Sequence, residues 1–242
     1  LDVYNKSTSF SIDTVYNANT VFEDEFNRTD VTDITSFENL LRIDSNKGDG
    51  NIEIDSVNNN IILSANTANK DNQPNIQYFL SSPFATKFVI EMDITTTSNS
   101  SRKCIYTRDS ANIDTVFLGM YENGYFCTVN NWNANERIAP YETGRKYNVK
   151  LVVDWLNKTE DIYIDGILVG KNKPFMYSGT TNTTLPSFLR FVIYSAGSTV
   201  PSTGDAMILD NIKIANYTAA ETAFDINKVT YKQGDSIIRN FS

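Results

Sequence analysis

A chain of 242 residues carrying a formal charge of -8 is long enough for one large β domain that needs neither a disulfide nor a metal to bury a core, and its negative balance argues against nucleic acid as the partner. The chain has no histidine, which removes Ser-His and Cys-His nucleophilic chemistry, the commonest zinc ligand and the usual acid/base near neutral pH. It also lacks a phosphate-binding glycine loop, a zinc-type spacing and an apolar run of about 18 residues, so no membrane insertion is expected.

Residues 1–20 are polar with scattered apolar positions and read as an edge strand or an ordered lead-in. The opening Leu1-Asp2-Val3 shows no signal peptide and reads as the start of a mature or excised fragment. In VFEDEFNR, residues 21–28, Phe22 and Phe26 alternate with acids. The stretch ITSFENLLRI, residues 34–43, is the best helix candidate, though a short one. GNIEIDSV and NIILSAN then read as two strands joined across Asn58, Asn59 and Asn60, residues that tolerate left-handed geometry. NIQYFLSS precedes FATKFVIEMDITT, where Phe88, Ile90, Met92 and Ile94 share one face and Lys87, Glu91 and Asp93 the other.

A meander of RKCIYTRD, TVFLGMYE and GYFCTVNN follows, the last two strands joined by Asn123-Gly124, a strong hairpin signal. Cys104 and Cys127 lie on the first and third of these strands and are either a disulfide or two buried thiols. From Tyr147 the pattern is clearest: Tyr147, Val149, Leu151, Val153 and Trp155 fall on one face, and Ile162 and Ile164 continue it after a turn. Asp165-Gly166 then sends the chain into Ile167-Leu168-Val169. FLRFVIYSAG places Leu189, Phe191 and Ile193 inward and Arg190 and Tyr194 outward, and AMILDNIKIAN closes the domain. Short strands at roughly 10-residue spacing with Gly, Asn and Asp turns predict an all-β, two-sheet antiparallel sandwich. The expected domain covers residues 1–217, and residues 218–242 are a linker with the start of a following module or an edge strand of the same domain.

Three motifs, FEDEFN, KYNVKLVVDW with IYIDGILV, and LDNIKI, occur in an order that resembles the concanavalin A-like jelly-roll superfamily of lectins, glucanases, laminin-G-like domains and carbohydrate-binding modules. The resemblance covers about residues 21–216 and implies a jelly roll whose ligand lies on a concave sheet face or at the loop edge. It also implies a structural calcium ion, with Asp210 matching the family's ligand on the closing strand. Further oxygens would come from around Asp24, Glu25 and the turn ending at Gly50, since calcium takes six to eight of them. Hydrolases of this fold use Glu-x-Asp-x-x-Glu. Here the stretches beginning at Glu53 and Glu91 carry the first two acids and lack the last, which argues against that chemistry because glycoside hydrolysis needs two flanking carboxylates.

Sugar recognition combines an aromatic platform with a few planar polar groups. Trp132 stands in the polar loop NNWNANER, whereas Trp155 shares a core-facing stripe. Arg190 with Tyr194, and Tyr106 with Arg108, are pairs on non-core faces where a guanidinium fork could hold hydroxyls or a carboxylate. The expected function is a non-catalytic, lectin-like carbohydrate-binding module, monomeric within a larger secreted or cell-surface protein, that binds a poly- or oligosaccharide. The alternatives are a lyase or hydrolase using Tyr194, Arg190, Glu91 and Asp93, and a structural spacer whose concave face is filled by its own side chains.

Overall fold

Period-two alternation of apolar and polar residues builds two antiparallel sheets that close over one core. The computed structural model describes residues 16–65, 74–108, 113–131, 134–176, 184–194, 204–219, 230–233 and 236–240. Strands are numbered in chain order. The first sheet runs β13 (Ile167–Pro174), β12 (Thr159–Ile164), β11 (Lys146–Asp154), β6 (Lys87–Thr96), β15 (Asp205–Ala219), β4 (Asn60–Ala65) and β3 (Gly50–Asp55), with β1 (Tyr16–Asp24) also paired to β15. The second runs β10 (Ala134–Pro140), β9 (Tyr125–Asn131), β8 (Asp114–Met120), β7 (Arg102–Arg108), β14 (Phe188–Tyr194), β5 (Asn75–Leu80) and β2 (Leu40–Asn46).

The core lies between the sheets. Phe88, Ile90, Met92 and Ile94 of β6 and Val149, Leu151 and Val153 of β11 face Ile105 of β7 and Leu189, Phe191 and Ile193 of β14. Each such side chain contributes about 1.5–3 kcal/mol when fully removed from water. Trp155 is core, as its stripe implies, and packs on Phe175 with ring centroids 5.3 Å apart.

Lys103 and Glu160 both enter this interior. Lys103 is inward on β7 beside Ile105, and its ammonium lies 2.5 Å from Asp205 with neither side chain exposed. The Lys103 ammonium also donates to the Ser98 carbonyl (2.6 Å), and Asp205 accepts from Ser100 Oγ (2.8 Å) and Ser101 Oγ (2.5 Å). Glu160 is inward on β12 with Ile162 and Ile164, and burial pushes its carboxyl well above the usual range.

The turns follow their residues. Asp165 and Gly166 both take positive φ (51° and 75°) between β12 and β13, the type I′ geometry that suits a two-residue hairpin. Asn59 and Gly124 also take positive φ in the β3–β4 and β8–β9 connections.

Residues 34–43 are not helical. Phe37 N donates to the Ile34 carbonyl at 3.0 Å in a turn, and Leu40 opens β2. A register shift between Leu40 and Arg42 leaves Leu40 and Ile43 buried with two exposed residues between them. That bulge produces a spacing of three, which imitates one face of a helix.

The disulfide alternative for Cys104 and Cys127 is also excluded. Cys104 pairs with Gly119 and Gly119 with Cys127, so the cysteines are two strands apart. Two strand spacings are about 9.5 Å, beyond the ~7 Å between Cα atoms that a disulfide can bridge. Both thiols are buried and unbridged.

The chain divides into two compact units, residues 18–217 and a smaller one built from residues 1–17 and 218–242. The described part of the smaller unit includes a hairpin of β16 (Thr230–Gln233) and β17 (Ser236–Asn240).

Candidate functional site

Alternation on β14 sends Leu189, Phe191 and Ile193 into the core, which leaves Arg190, Val192 and Tyr194 on the outer face of the second sheet. On β7 the same parity places Arg102, Cys104, Tyr106 and Arg108 on that face. The register then makes neighbours of them: Arg190 is opposite Tyr106, and Tyr106 is opposite Phe117.

Four residues proposed from sequence therefore meet. The Tyr106 and Tyr194 hydroxyls are 2.9 Å apart, and the Arg190 and Arg108 guanidinium carbons lie 5.4 and 5.3 Å from the Tyr106 ring centroid. Such cation–π contacts contribute about 0.5–1 kcal/mol each where solvent reaches them. The centre of the face is dry. Cys104, Tyr106, Phe117, Tyr121, Cys127, Val129, Met176 and Val192 form a second buried apolar cluster, against which Tyr125 and Tyr194 pack while partly exposed.

Most charge on the face is internally matched. Arg108 pairs with Asp114, Arg102 grips both oxygens of Glu122 at 3.0 and 3.1 Å, and Arg42 pairs with Asp44 at 3.0 Å while stacked 3.7 Å from the Phe79 ring. Arg190 differs. No carboxylate among the described residues pairs with it, and its Nε is buried without a hydrogen-bond partner. Asp114 and Glu122 were not singled out in the sequence, because only the register shows that they stand beside Arg108 and Arg102.

Burial raises the Tyr106 and Tyr194 phenols above the usual tyrosine value, more strongly than the neighbouring guanidinium groups lower them. Both therefore stay protonated across the physiological range and serve as hydrogen-bonding groups rather than bases. The Cys104 and Cys127 thiols are pushed up by burial in the same way, so neither is a ready thiolate.

The other expected site residues lie elsewhere. Trp132 falls outside the described residues. Glu91 and Asp93 project from the first sheet on the side opposite to the inward Ile90 and Met92. Asp93 accepts hydrogen bonds from Asn148 Nδ2 (3.1 Å) and Asn211 Nδ2 (3.0 Å), and Glu91 stands across from Lys150 and Lys213. A catalytic set joining these acids to Tyr194 and Arg190 is thus ruled out, because the two pairs occupy opposite outer faces with the core between them.

The residues of the implied calcium site each have partners of their own. Asp210 pairs with Lys146 at 2.8 Å. Asp24 pairs with Arg28 and accepts from the Phe26 amide at 2.9 Å, and Glu25 accepts from Asn27 Nδ2 at 3.2 Å. Gly50 donates to the Lys47 carbonyl, and a Cβ there would meet the Ser64 carbonyl oxygen at 2.2 Å, so close backbone approach explains the glycine. Among the described residues no three of His, Cys, Asp and Glu stand together at metal-binding distance. A nearby cleft of about 270 Å³ is lined by residues 23–28 with Ser36 and Phe37, and Arg28 lies 5.3 Å from both the Phe26 and Phe37 rings.

No family model matches the sequence, and no curated protein matches it. Among solved structures, the chain is similar in fold to a sialidase at TM-score 0.55 and 15% identity, over 68% of this chain and 16% of that one. It is similar to the binding domain of botulinum neurotoxin serotype C1 at TM-score 0.56 and 13% identity, over 81% and 48% of the two chains. A third structure, from work on endo-acting O-glycanases of human gut bacteria that initiate mucin breakdown, aligns at TM-score 0.57 and 10% identity over 83% of this chain and 100% of that one. The chain spans less than half of the sialidase and of the toxin domain. At these identities the likeness is one of fold.

Proposed function

We propose that residues 18–217 form a non-catalytic carbohydrate-binding domain of a secreted, polysaccharide-acting protein, with saccharide held on the outer face of the second sheet around Tyr106. The observation that carries this reading is the meeting of Arg190, Tyr194, Tyr106 and Arg108, which come from two strands far apart in sequence. Partly exposed Tyr194 offers a ring beside guanidinium donors, the combination that suits a pyranose with its apolar face and hydroxyl rim. Catalysis is disfavoured on the same face. Its tyrosines are held protonated, and its acids Asp114 and Glu122 are each bound by an arginine. The sialidase and O-glycanase named among the fold neighbours are consistent with a saccharide partner. Weak binding of this kind gains strength through repeated contact along a polymer.

A structural spacer is the competing reading, favoured by the buried cluster that fills the middle of the face. Native gels containing neutral or acidic polysaccharides, run with parallel measurement of reducing ends, separate the two. The binding domain is retarded without product, and Tyr194→Ala loses the retardation while keeping its circular dichroism spectrum. Absence of retardation in every gel supports the spacer, and new reducing ends support an enzyme.

A further inference from the structure

We propose that the Arg190 site selects sugars that carry a carboxylate, with the carboxylate seated against the Arg190 guanidinium; this rests on the saccharide-binding reading above. The outer face holds five arginines on β2, β7, β10 and β14; three of them already have a carboxylate, and Arg137 of β10 is exposed to water over the Tyr125 ring. Arg108 has Asp114, Arg102 has Glu122 and Arg42 has Asp44. Arg190 has none among the described residues, although its Nε is buried and lacks an acceptor. A guanidinium stripped of water along one edge and left without an anion is an unusual arrangement, because buried donors are nearly always paired. Its partly exposed remainder is therefore placed to recruit an acceptor from outside.

The chemistry of that acceptor follows from the fork. A guanidinium donates parallel hydrogen bonds in one plane, which a carboxylate accepts two at a time, whereas sugar hydroxyls seldom match both directions. The setting favours this pairing. The Arg190 guanidinium carbon lies 5.4 Å from the Tyr106 ring centroid, and the Tyr106 and Tyr194 hydroxyls pair with each other, so the guanidinium stands over an aromatic, hydrogen-bonded floor. The net charge of -8 repels a polyanion at long range. That repulsion is screened beyond about 8 Å at physiological salt, so a contact pair at Arg190 outweighs it.

The test uses matched ligands that differ only in the acid group: polygalacturonate against its fully methyl-esterified form, and sialyllactose against lactose. The intact chain and its Arg190→Gln and Arg190→Lys variants are titrated calorimetrically, with thermal melting to confirm folding. The expected result is that at least one acid ligand binds about tenfold or more tightly than its neutral counterpart, a preference that charge-assisted bidentate bonds can supply. Arg190→Gln abolishes the preference, and Arg190→Lys, which keeps charge without the fork, retains part of it. Equal binding of acid and neutral forms overturns the acid selectivity and leaves the saccharide reading standing. A preference that persists in Arg190→Gln overturns the assignment to Arg190, and failure of every ligand to bind overturns both.

Discussion

Replacing Lys103 by Met is the sharpest test of how the interior is held together. The methionine matches the lysine stem in length, so little packing is lost and the perturbation is electrostatic. In the folded protein Lys103 and Asp205 are both unexposed and 2.5 Å apart. Burial pulls the lysine below its usual value against the attraction of Asp205, as expected for an ammonium held in a dry interior. Without the ammonium, Asp205 keeps the Ser100 and Ser101 hydroxyls on one oxygen, and its other oxygen has no hydrogen-bond partner among the described residues. Leaving one member of a buried pair uncompensated costs about 3–5 kcal/mol. In a domain of about 150–250 residues each kcal/mol is about 2–4 °C, so the melting temperature should fall by roughly 6–20 °C. The companion Lys103→Met/Asp205→Asn variant removes the stranded charge and should recover more than half of that loss. Chemical denaturation of the parent, of Lys103→Met, of Asp205→Asn and of the double variant gives the cycle directly. A single variant within about 1 kcal/mol of the parent, or a double variant no more stable than the single, would refute the pairing as a stabilising unit.

Glu160 gives a pH signature. Its folded-state value lies above its unfolded one, so its contribution is fully present below the unfolded value and is lost as pH rises toward the folded value. Glu160→Gln should therefore match the parent at about pH 4 and exceed its stability near neutral pH; equal stability in both conditions would show that Glu160 ionises freely. Native protein should leave both cysteines unlabelled by a thiol reagent until it is unfolded, and the intact mass should show both as thiols; rapid native labelling would contradict their burial, and a bridged mass the two-strand separation. Calcium in about hundredfold excess over its Kd would stabilise a bound domain by about 2.7 kcal/mol. Because Asp24 and Asp210 are paired with Arg28 and Lys146, calcium and chelator should leave the melting temperature unchanged, and a rise of several degrees would support the implied site.

The two-sheet sandwich was legible because its stripes are regular: Phe88 to Ile94, Tyr147 to Trp155 and Leu189 to Ile193 each keep one parity throughout. Legibility failed where parity breaks or where residue type misleads. The bulge in β2 turned a strand spacing into a helical one at Leu40 and Ile43. Lys103 and Glu160 hold inward positions that parity alone would assign to the core, but their charge conceals this, and the partner of Lys103 lies on a distant strand.

For the candidate site, parity was enough to put Arg190 with Tyr194 and Tyr106 with Arg108 on non-core faces. Register was needed to bring the two pairs together, and no local pattern encodes which strands are neighbours. The same missing information hid the Asp114 and Glu122 partners, made a disulfide conceivable across Gly119, and allowed Glu91 and Asp93 to be grouped with residues of the opposite face. The calcium residues were transferred from a resemblance, and a resemblance of fold carries no information about whether Arg28 and Lys146 have taken the carboxylates.

The most direct measurement is amide chemical-shift mapping of the 27.2 kDa chain during titration with a saccharide that retards it in gels. Binding on the outer face of the second sheet predicts that shifts concentrate at Arg190, Val192 and Tyr194 of β14 and at Tyr106 and Arg108 of β7, and that they disappear in Tyr194→Ala. Shifts centred on Glu91, Asp93 and Lys150 of the first sheet, or spread without a focus, would contradict the account.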